Sequence, residues 1–410
     1  MSTCKTALLG GTFNPPHNVH VDMVKFALEQ LHFDRVLVFP AADPPHKDVA
    51  EKVSAQVRLE LTRLAFEGIP GVEVSDFELR RKGKSYTYET LRLLHEQQGE
   101  GEISLLMGQD MLETTPQWYR GEDLLRETPI VVFPRPQLEG EQRDEELSSL
   151  VEHLQSAYRA RIIVAGFPMQ DVSSTELREQ IRKGPLPRTV PAKVLREVLA
   201  KGLYGVRFDV SRGRTEREAE LITLLSKRLS EKRLHHSIAV MEEMERLAQR
   251  YGLDVARARI AGLVHDCTKD ETFENQLRLC EEFGIIISDL ERYSPKLLHA
   301  ITGAAYARVR FGLKDEEALG AIRYHTTARA NMTLFEALLY LADYVEPLRA
   351  FEGVEQVRRL VDDRLEEALL TALDATIGEL VELGSLIHPD TLAARNSILM
   401  QSIKENCHAV

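Results

Sequence analysis

Tryptophan occurs once in this 410-residue chain, aromatic residues make up only 6% of it, and cysteine occurs four times. The thiols, Cys4, Cys267, Cys280 and Cys407, form no CxxC pair. A chain of this size buries enough core to need no disulfide staples, so free thiols in a reducing, cytoplasmic compartment are expected. No apolar run approaches the roughly 18 residues of a membrane helix, and no signal-type stretch opens the sequence, so no membrane association is expected. Basic residues are not in excess either: 52 Lys/Arg against 64 Asp/Glu leave a net charge of −12. The deficit is spread evenly, with 25 basic against 30 acidic residues in 1–205 and 27 against 34 beyond. A nucleic-acid or membrane-surface binder needs a dominant basic field, so neither is expected. Small phosphorylated anions stay compatible with this balance where cations or helix N-termini are gathered locally.

What is present, 43% hydrophobic and 28% charged residues, is the composition of a folded globular protein, and the length exceeds what one core usually organises. The first half alternates short β-branched runs (Ala7 to Leu9, Val36 to Phe39, Ile103 to Met107, Ile130 to Phe133, Ile162 to Ala165) with helical periodicity at Val19 to Leu31 and Ser54 to Phe66. This pattern predicts a doubly wound α/β domain with a parallel sheet, whose ligands bind at the carboxyl ends of the strands. From about Thr215 the period is helical almost throughout: Glu218 to Leu229, Ser237 to Tyr251, Val255 to Val264, Ala300 to Phe311, Leu334 to Val345 and Leu365 to Leu383. That predicts an all-α domain, with Ile285 to Ile287 as the main run ambiguous between strand and helix. The expected division is 1–205, a linker at 206–217, and 218–410. The acidic stretch Glu139 to Glu146 reads as an exposed loop or helix start.

Two places in the first half carry phosphate chemistry. After the first strand, Gly10-Gly11-Thr12-Phe13-Asn14-Pro15-Pro16-His17-Asn18-Val19-His20 leads into a helix. Paired glycines permit a tight turn and a close backbone approach to phosphate, while the helix N-terminus contributes partial positive charge. His17 and His20, three apart, face one spot. Further on, Val172-Ser173-Ser174-Thr175-Glu176-Leu177-Arg178 has the spacing of a capping box between Ser173 and Glu176. It also offers hydroxyls, free N–H groups and Arg178, a second wall for a nucleotide pocket.

Residues 1 to about 205 resemble the bacterial nicotinate-nucleotide adenylyltransferases of the nucleotidyltransferase superfamily. Gly10 to His20 matches their GGTFDPxHxGH pattern, Val172 to Arg178 their ISSTxIR pattern, and Lys47 in Pro44-Pro45-His46-Lys47 their phosphate-contacting lysine. Ser85 to Leu91, Gly108-Gln109-Asp110 and Trp118-Tyr119 match segments lining the nicotinate-nucleotide side. Val19 departs from the family glycine, which bears on the approach of adenine or ribose and so on ATP affinity; Asn14 for aspartate is a milder change. The resemblance implies in-line attack of a nucleotide 5′-phosphate on the α-phosphorus of ATP, with pyrophosphate leaving. It puts His17 and His20 on the transferring phosphates, Lys47 and Arg178 on the developing charge, and Mg²⁺ between phosphate oxygens. Gly10, Gly11, Thr12, Phe13, Gly108, Asp110, Ser173, Ser174 and Thr175 complete the implied ATP set. Lys47, Thr87, Trp118, Tyr119 and Arg135 form the implied set for nicotinate mononucleotide. An alternative is adenylylation of another acceptor.

In the second half His236, His265-Asp266, His299, His325 and Asp343 are spread over several helical segments, with His236 placed just before a helix starting at Ser237. Imidazoles and carboxylates gathered from several helices suit iron, manganese or zinc. From about 218 to 405 the chain resembles HD-domain phosphohydrolases, specifically the symmetrical diadenosine tetraphosphate hydrolases. The resemblance rests on Arg233 to Ser237, Ala261 to Asp266 with Lys269, Leu297 to His299, Ala321 to Thr327, Leu341 to Glu346, and Leu386 to Pro389 with Ala394 to Asn396. It implies one metal on His236, His265, Asp266 and Asp343, and a second, bridged by Asp266, on His299 and His325, with dinuclear iron as the expected centre. Lys269 and Arg323 are the implied contacts to substrate phosphates, and the implied reaction converts diadenosine tetraphosphate and water to two ADP. His235, one position off the pattern, is not an expected ligand. Other readings are another nucleotide phosphate as substrate, or a regulatory nucleotide-binding module; a complete ligand set disfavours the latter.

Overall fold

The structure, a computed structural model, describes residues 4–42, 53–81, 85–98, 102–134, 142–167, 172–184, 186–206 and 214–408. Two compact units divide the chain, Met1–Arg207 and Phe208–Val410.

In the first unit six strands, β1 (Thr6–Gly11), β2 (Arg35–Pro40), β3 (Val72–Val74), β4 (Ile103–Gly108), β5 (Ile130–Phe133) and β6 (Ile162–Val164), form one parallel sheet in the order β3-β2-β1-β4-β5-β6. Helices α1 (Asn18–Glu29), α2 (Ala55–Phe66), α3 (Phe77–Arg80), α4 (Thr87–Gln98), α5 (Gln109–Thr114), α6 (Gly121–Glu127), α7 (Gln142–Tyr158), α8 (Ser174–Lys183) and α9 (Ala192–Ala200) surround it. Parallel strands covered on both faces become continuous apolar runs, and Val36 to Phe39 and Ile130 to Phe133 are indeed buried throughout. Strand order reverses between β1 and β4, where the connections leave towards opposite sides. That switch point opens a crevice at the strands' carboxyl ends.

Three details differ from the sequence reading. β3 was not anticipated, because three residues at a sheet edge carry almost no alternation. Gly10 and Gly11 do not form a turn: they close β1, paired with Phe39 and Pro40 of β2. The turn is made instead by Phe13, whose φ is +48° although its ring is buried. Space at Gly11 is tight, since a Cβ there would lie 3.0 Å from that ring.

The second unit is helical: α10 (Glu216–Leu225), α11 (Glu231–Tyr251), α12 (Val255–Val264), α13 (Phe273–Glu282), α14 (Asp289–Tyr293), α15 (Leu298–Val309), α16 (Glu316–Tyr324), α17 (Leu334–Val345), α18 (Val354–Leu360), α19 (Leu365–Glu382) and α20 (Pro389–His408). Its core gathers Leu225, Met241, Leu247, Leu263, Phe335, Leu338 and Leu373. α10 begins two residues ahead of the expected start, at a Thr215/Glu218 capping box. α11 begins at Glu231, so His236 sits in its second turn rather than before it; the polar run at its start hid the helical period. Ile285 to Ile287 form no strand, and Ile286 is almost fully exposed. α12 can approach α11 closely because Gly262 lacks a side chain: a Cβ would stand 2.9 Å from Met241 Cα and from Val240 O.

Candidate functional site

In the first unit the loop from Thr12 to Asn18 is held from several sides. The buried Arg58 guanidinium donates to Thr12 O at 2.7 Å and to Ala41 O and Ala42 O at 2.7 and 3.1 Å, tying together the connections that follow β1 and β2. Arg178 donates to Asn14 O at 2.9 Å, to Ser174 O at 3.2 Å and to Thr175 Oγ1 at 3.1 Å. The Tyr204 hydroxyl donates to Asn14 Oδ1 at 2.8 Å. Asn18 donates from its backbone to Thr189 O and from its side chain to Arg188 O. The two motifs of the sequence reading therefore meet, with Arg178 of α8 against the loop that starts α1. Gly108 and Asp110 stand across the switch point, at the end of β4 and the start of α5.

His17 is the N-cap of α1 and His20 lies one turn in, with ring centroids 3.8 Å apart. The His17 N–H donates to His20 Nδ1 at 3.2 Å, which leaves the proton of a neutral His20 on Nε2. Burial depresses the His17 imidazole to about 4. Val19, between them, is buried. Ser173 stands at the N-cap of α8, but its side chain makes no capping hydrogen bond, contrary to the capping-box spacing. Thr87 opens α4, Trp118 Nε1 donates to Thr114 Oγ1 at 3.2 Å, and the ring of Tyr119, half exposed, lies tilted against that of Tyr86 with centroids 4.5 Å apart. Lys47 and Arg135 lie outside the described residues.

The second unit brings all six expected ligand side chains together. His236 comes from α11, His265 ends α12, Asp266 follows in the next turn, His299 starts α15, His325 ends α16 and Asp343 lies near the end of α17. His236 Nε2 stands 3.1 Å from Asp343 Oδ1 and 3.6 Å from Asp266 Oδ2. His265 Nε2 is 3.6 Å from Asp266 Oδ2 and 3.8 Å from Asp343 Oδ1. On the other side, Asp266 Oδ1 is 3.1 Å from His299 Nε2 and 3.4 Å from His325 Nε2. Asp266 thus turns one oxygen to each pair of imidazoles.

The orientation of the rings decides what such a cluster fits. Each Nδ1 faces an acceptor and so carries the proton: His236 donates to Glu346 Oε1 at 3.1 Å, His265 to Gly262 O at 2.7 Å, His299 to Lys296 O at 2.6 Å and His325 to Ile322 O at 2.6 Å. The Nε2 lone pairs therefore converge on two carboxylates. His236 Nε2, His265 Nε2 and Asp266 Oδ1 are buried without a hydrogen bond. Donor atoms about 2.1 Å from a shared cation would be spaced about 3.0 to 3.5 Å apart, close to the separations here, and an Nδ1 acceptor behind each imidazole is the usual support of a metal ligand. The residues fit a divalent ion. The Cys267 thiol points away, to Gly303 O, and burial pushes it up to about 12.

Around this cluster lie cations. Arg233 donates to Asp266 Oδ2 at 2.8 Å, Arg349 is ion-paired with Asp343, and Lys269 Nζ is 2.9 Å from His299 Nε2 and 3.9 Å from Asp266 Oδ1. Their side chains are 26%, 33% and 29% exposed against 2% for Asp266, which makes them a positive rim on a buried base. Burial opposes the charge of Asp266, but His265, Lys269 and His299 together hold it well below the usual range; Asp343 is held down likewise, chiefly by Arg349 and His236. Burial lowers Lys269. None of the six ligands lines the small recess, about 20 Å³, where Arg323 lies with Tyr324, Thr327, His388 and Asp390. His235 faces Glu231 instead. Arg58, Tyr204, Arg233, Glu346 and Arg349 were not among the expected site residues. Arg233 and Glu346 at least lay inside recognised segments, whereas no local pattern marks Arg58 or Arg349.

Comparison with known proteins matches the sequence to two families. The cytidylyltransferase-like family matches residues 8–180, and the HD domain family matches residues 233–348. A Clostridium botulinum protein named "Probable nicotinate-nucleotide adenylyltransferase" is 34% identical over 199 residues, 48% of this chain and 98% of the relative. A Halalkalibacterium halodurans protein named "Bis(5'-nucleosyl)-tetraphosphatase, symmetrical" is 41% identical over 180 residues, 44% of this chain and 96% of the relative. The chain belongs to both families. A nicotinate-nucleotide adenylyltransferase-like domain is joined to an HD domain, and the chain is an enzyme. Among solved structures, a "predicted HD superfamily hydrolase involved in NAD metabolism" from Clostridium acetobutylicum is 40% identical, covering 44% of this chain and 96% of its own, with a TM-score of 0.44. The HD domain implies a divalent metal, and the His-Asp cluster is where this chain can hold one. Among the described residues no helix is long and apolar enough to cross a membrane.

Proposed function

We propose that the chain is bifunctional, and the observation that carries the hydrolytic half is the positive rim of Arg233, Lys269 and Arg349 around the His-Asp cluster. The first domain transfers the adenylyl group of ATP to nicotinate mononucleotide, giving nicotinate adenine dinucleotide and pyrophosphate. The mononucleotide's 5′-phosphate oxygen bonds to the α-phosphorus as the bond to the β-phosphate oxygen breaks. Such transfers depend on positioning and charge neutralisation. His17 and His20 contact the transferring phosphates, with Arg178 and Lys47 on the pyrophosphate side. The triphosphate enters as its Mg²⁺ complex, in which the ion would neutralise part of the oxygen charge. Thr87, Trp118, Tyr119 and Arg135 receive the nicotinate nucleotide.

The HD domain hydrolyses diadenosine tetraphosphate symmetrically. Water adds to one of the two central phosphorus atoms, the central P–O bond breaks, and two ADP leave. His236, His265, Asp266 and Asp343 would hold a divalent metal, with Asp266 shared towards His299 and His325; iron suits this imidazole and carboxylate set. When bound, the metal supplies Lewis acidity and lowers the pKa of water. Arg233, Lys269 and Arg349 bind the polyphosphate, and Arg323 receives a more distant part of the substrate. The cytoplasm is the expected location.

Product analysis tests both halves. Chromatography of reactions with nicotinate or nicotinamide mononucleotide plus ATP should show dinucleotide from the acid. With diadenosine tetraphosphate, ADP should be the only product; ATP and AMP together would refute symmetric cleavage.

A further inference from the structure

We propose that the Lys269 ammonium holds the second cation position of the HD centre, so that the folded chain keeps one tightly bound metal ion and admits a second only when Lys269 is displaced. This rests on the reading that the centre binds metal, and deepens it by assigning the number of ions to one side chain.

The two sides of Asp266 differ in what already satisfies them. On the Oδ2 side, His236 Nε2 and His265 Nε2 are buried and accept no hydrogen bond. The cations nearest them, Arg233 and Arg349, grip the carboxylates of Asp266 and Asp343 rather than the imidazoles. That side has bare lone pairs waiting for a positive charge. On the Oδ1 side Asp266 Oδ1 is likewise without a hydrogen bond, but the lone pair of His299 Nε2 already accepts from Lys269 Nζ at 2.9 Å, and the same ammonium lies 3.9 Å from that oxygen. His325 Nε2, 3.1 Å from His299 Nε2, completes the group.

Lys269 is delivered to this place by the backbone. It lies in the turn after α12, three residues beyond Asp266, and its N–H donates to Asp266 O at 2.9 Å. The same turn therefore presents the shared carboxylate and the ammonium. A second divalent ion on His299 Nε2 would have to take a lone pair that faces a positive charge. Like charges at that separation in a buried site repel strongly, so the ion and the ammonium exclude each other.

The test is the number of ions per full-length chain. Protein stripped with chelator and re-equilibrated with Fe²⁺ without oxygen, or with Mn²⁺, in the absence of nucleotide, is desalted and measured by plasma mass spectrometry. Spin coupling between paired Mn²⁺ ions is read by electron paramagnetic resonance. The wild type and Lys269→Arg should each hold one ion, and Lys269→Met two, with a coupled signal. Lys269→Gln should also hold two, so that a folding defect in one variant, checked by circular dichroism, does not decide the outcome. Two ions in the wild type, or one in both neutral variants, would overturn the proposal while leaving the metal centre standing. No ion in the wild type would overturn both.

Discussion

The Nε2 atoms of His299 and His325 stand 3.1 Å apart while each ring donates through Nδ1 to a backbone carbonyl of its own helix region. Neither neutral ring can give the other a proton, so the contact is stable only beside positive charge. Lys269 supplies that charge at His299, and an ion on the other side of Asp266, among His236, His265 and Asp343, should add to the stability of the second unit, so that stripping it loosens the unit. An ion at about 100 times its Kd contributes about 2.7 kcal/mol, or several degrees in Tm for a domain of this size. Calorimetry with and without chelator checks this, and an unchanged transition would rule it out.

Asp266 touches both imidazole pairs, so Asp266→Asn should cost hydrolysis of diadenosine tetraphosphate about 10³-fold, roughly 4 kcal/mol of transition-state stabilisation. Adenylyl transfer measured on the same preparation should be unaffected. Near-normal hydrolysis would remove Asp266 from the mechanism.

His17 gives the first unit an acid sensitivity. Its folded pKa of about 4 lies below the ordinary 6.5, so as pH falls the unfolded chain takes the proton first. Its contribution is complete above about 6.5 and is lost progressively down to about 4, a total on the order of 3 kcal/mol. In urea titrations between pH 7 and 4.5 the first unit of His17→Gln should lose less stability than that of the wild type. Identical pH dependence would contradict this.

Gly262→Ala would push a methyl group against Met241 Cα and Val240 O, both 2.9 Å from the new atom. Overpacking of this kind costs about 1 to 3 kcal/mol. Because α12 carries His265 and α11 carries His236, the same shift should weaken metal binding. Thermal melts and metal titration together check it; a lower Tm with unchanged affinity would show that the helix contact does not set the centre.

Arg58 acts on adenylyl transfer through the loops it ties. Arg58→Met removes donors to Thr12 O, Ala41 O and Ala42 O and should lower kcat/KM for adenylyl transfer by about 10- to 100-fold, since small displacements of positioning groups are that costly. The HD reaction on the same chain serves as the internal control. Unchanged adenylyl transfer kinetics would show that the loop holds its shape without Arg58.

Local order was legible wherever periodicity or residue chemistry is local. The apolar runs at Val36 to Phe39 and Ile130 to Phe133 announced buried parallel strands, and α12 and α17 begin and end where their periods do. β3 escaped because three residues carry too little pattern, and the early start of α11 escaped because its first turn is polar. The capping-box spacing at Ser173 held without the bond it usually signals, since spacing constrains reach but not rotamer.

Which residues could bear chemistry was a property of the sequence alone: His17 and His20 beside a β–α junction, and six imidazole and carboxylate side chains scattered between residues 236 and 343. Residue type and periodicity are written into neighbouring positions, so they can be read there. That Asp266 turns one oxygen to each imidazole pair, that Lys269 reaches His299, and that Arg58 joins two loops was decided only by tertiary structure. Those relations depend on how closely helices far apart in the chain can pack, as Gly262 against Met241 shows, and no local pattern encodes such a distance.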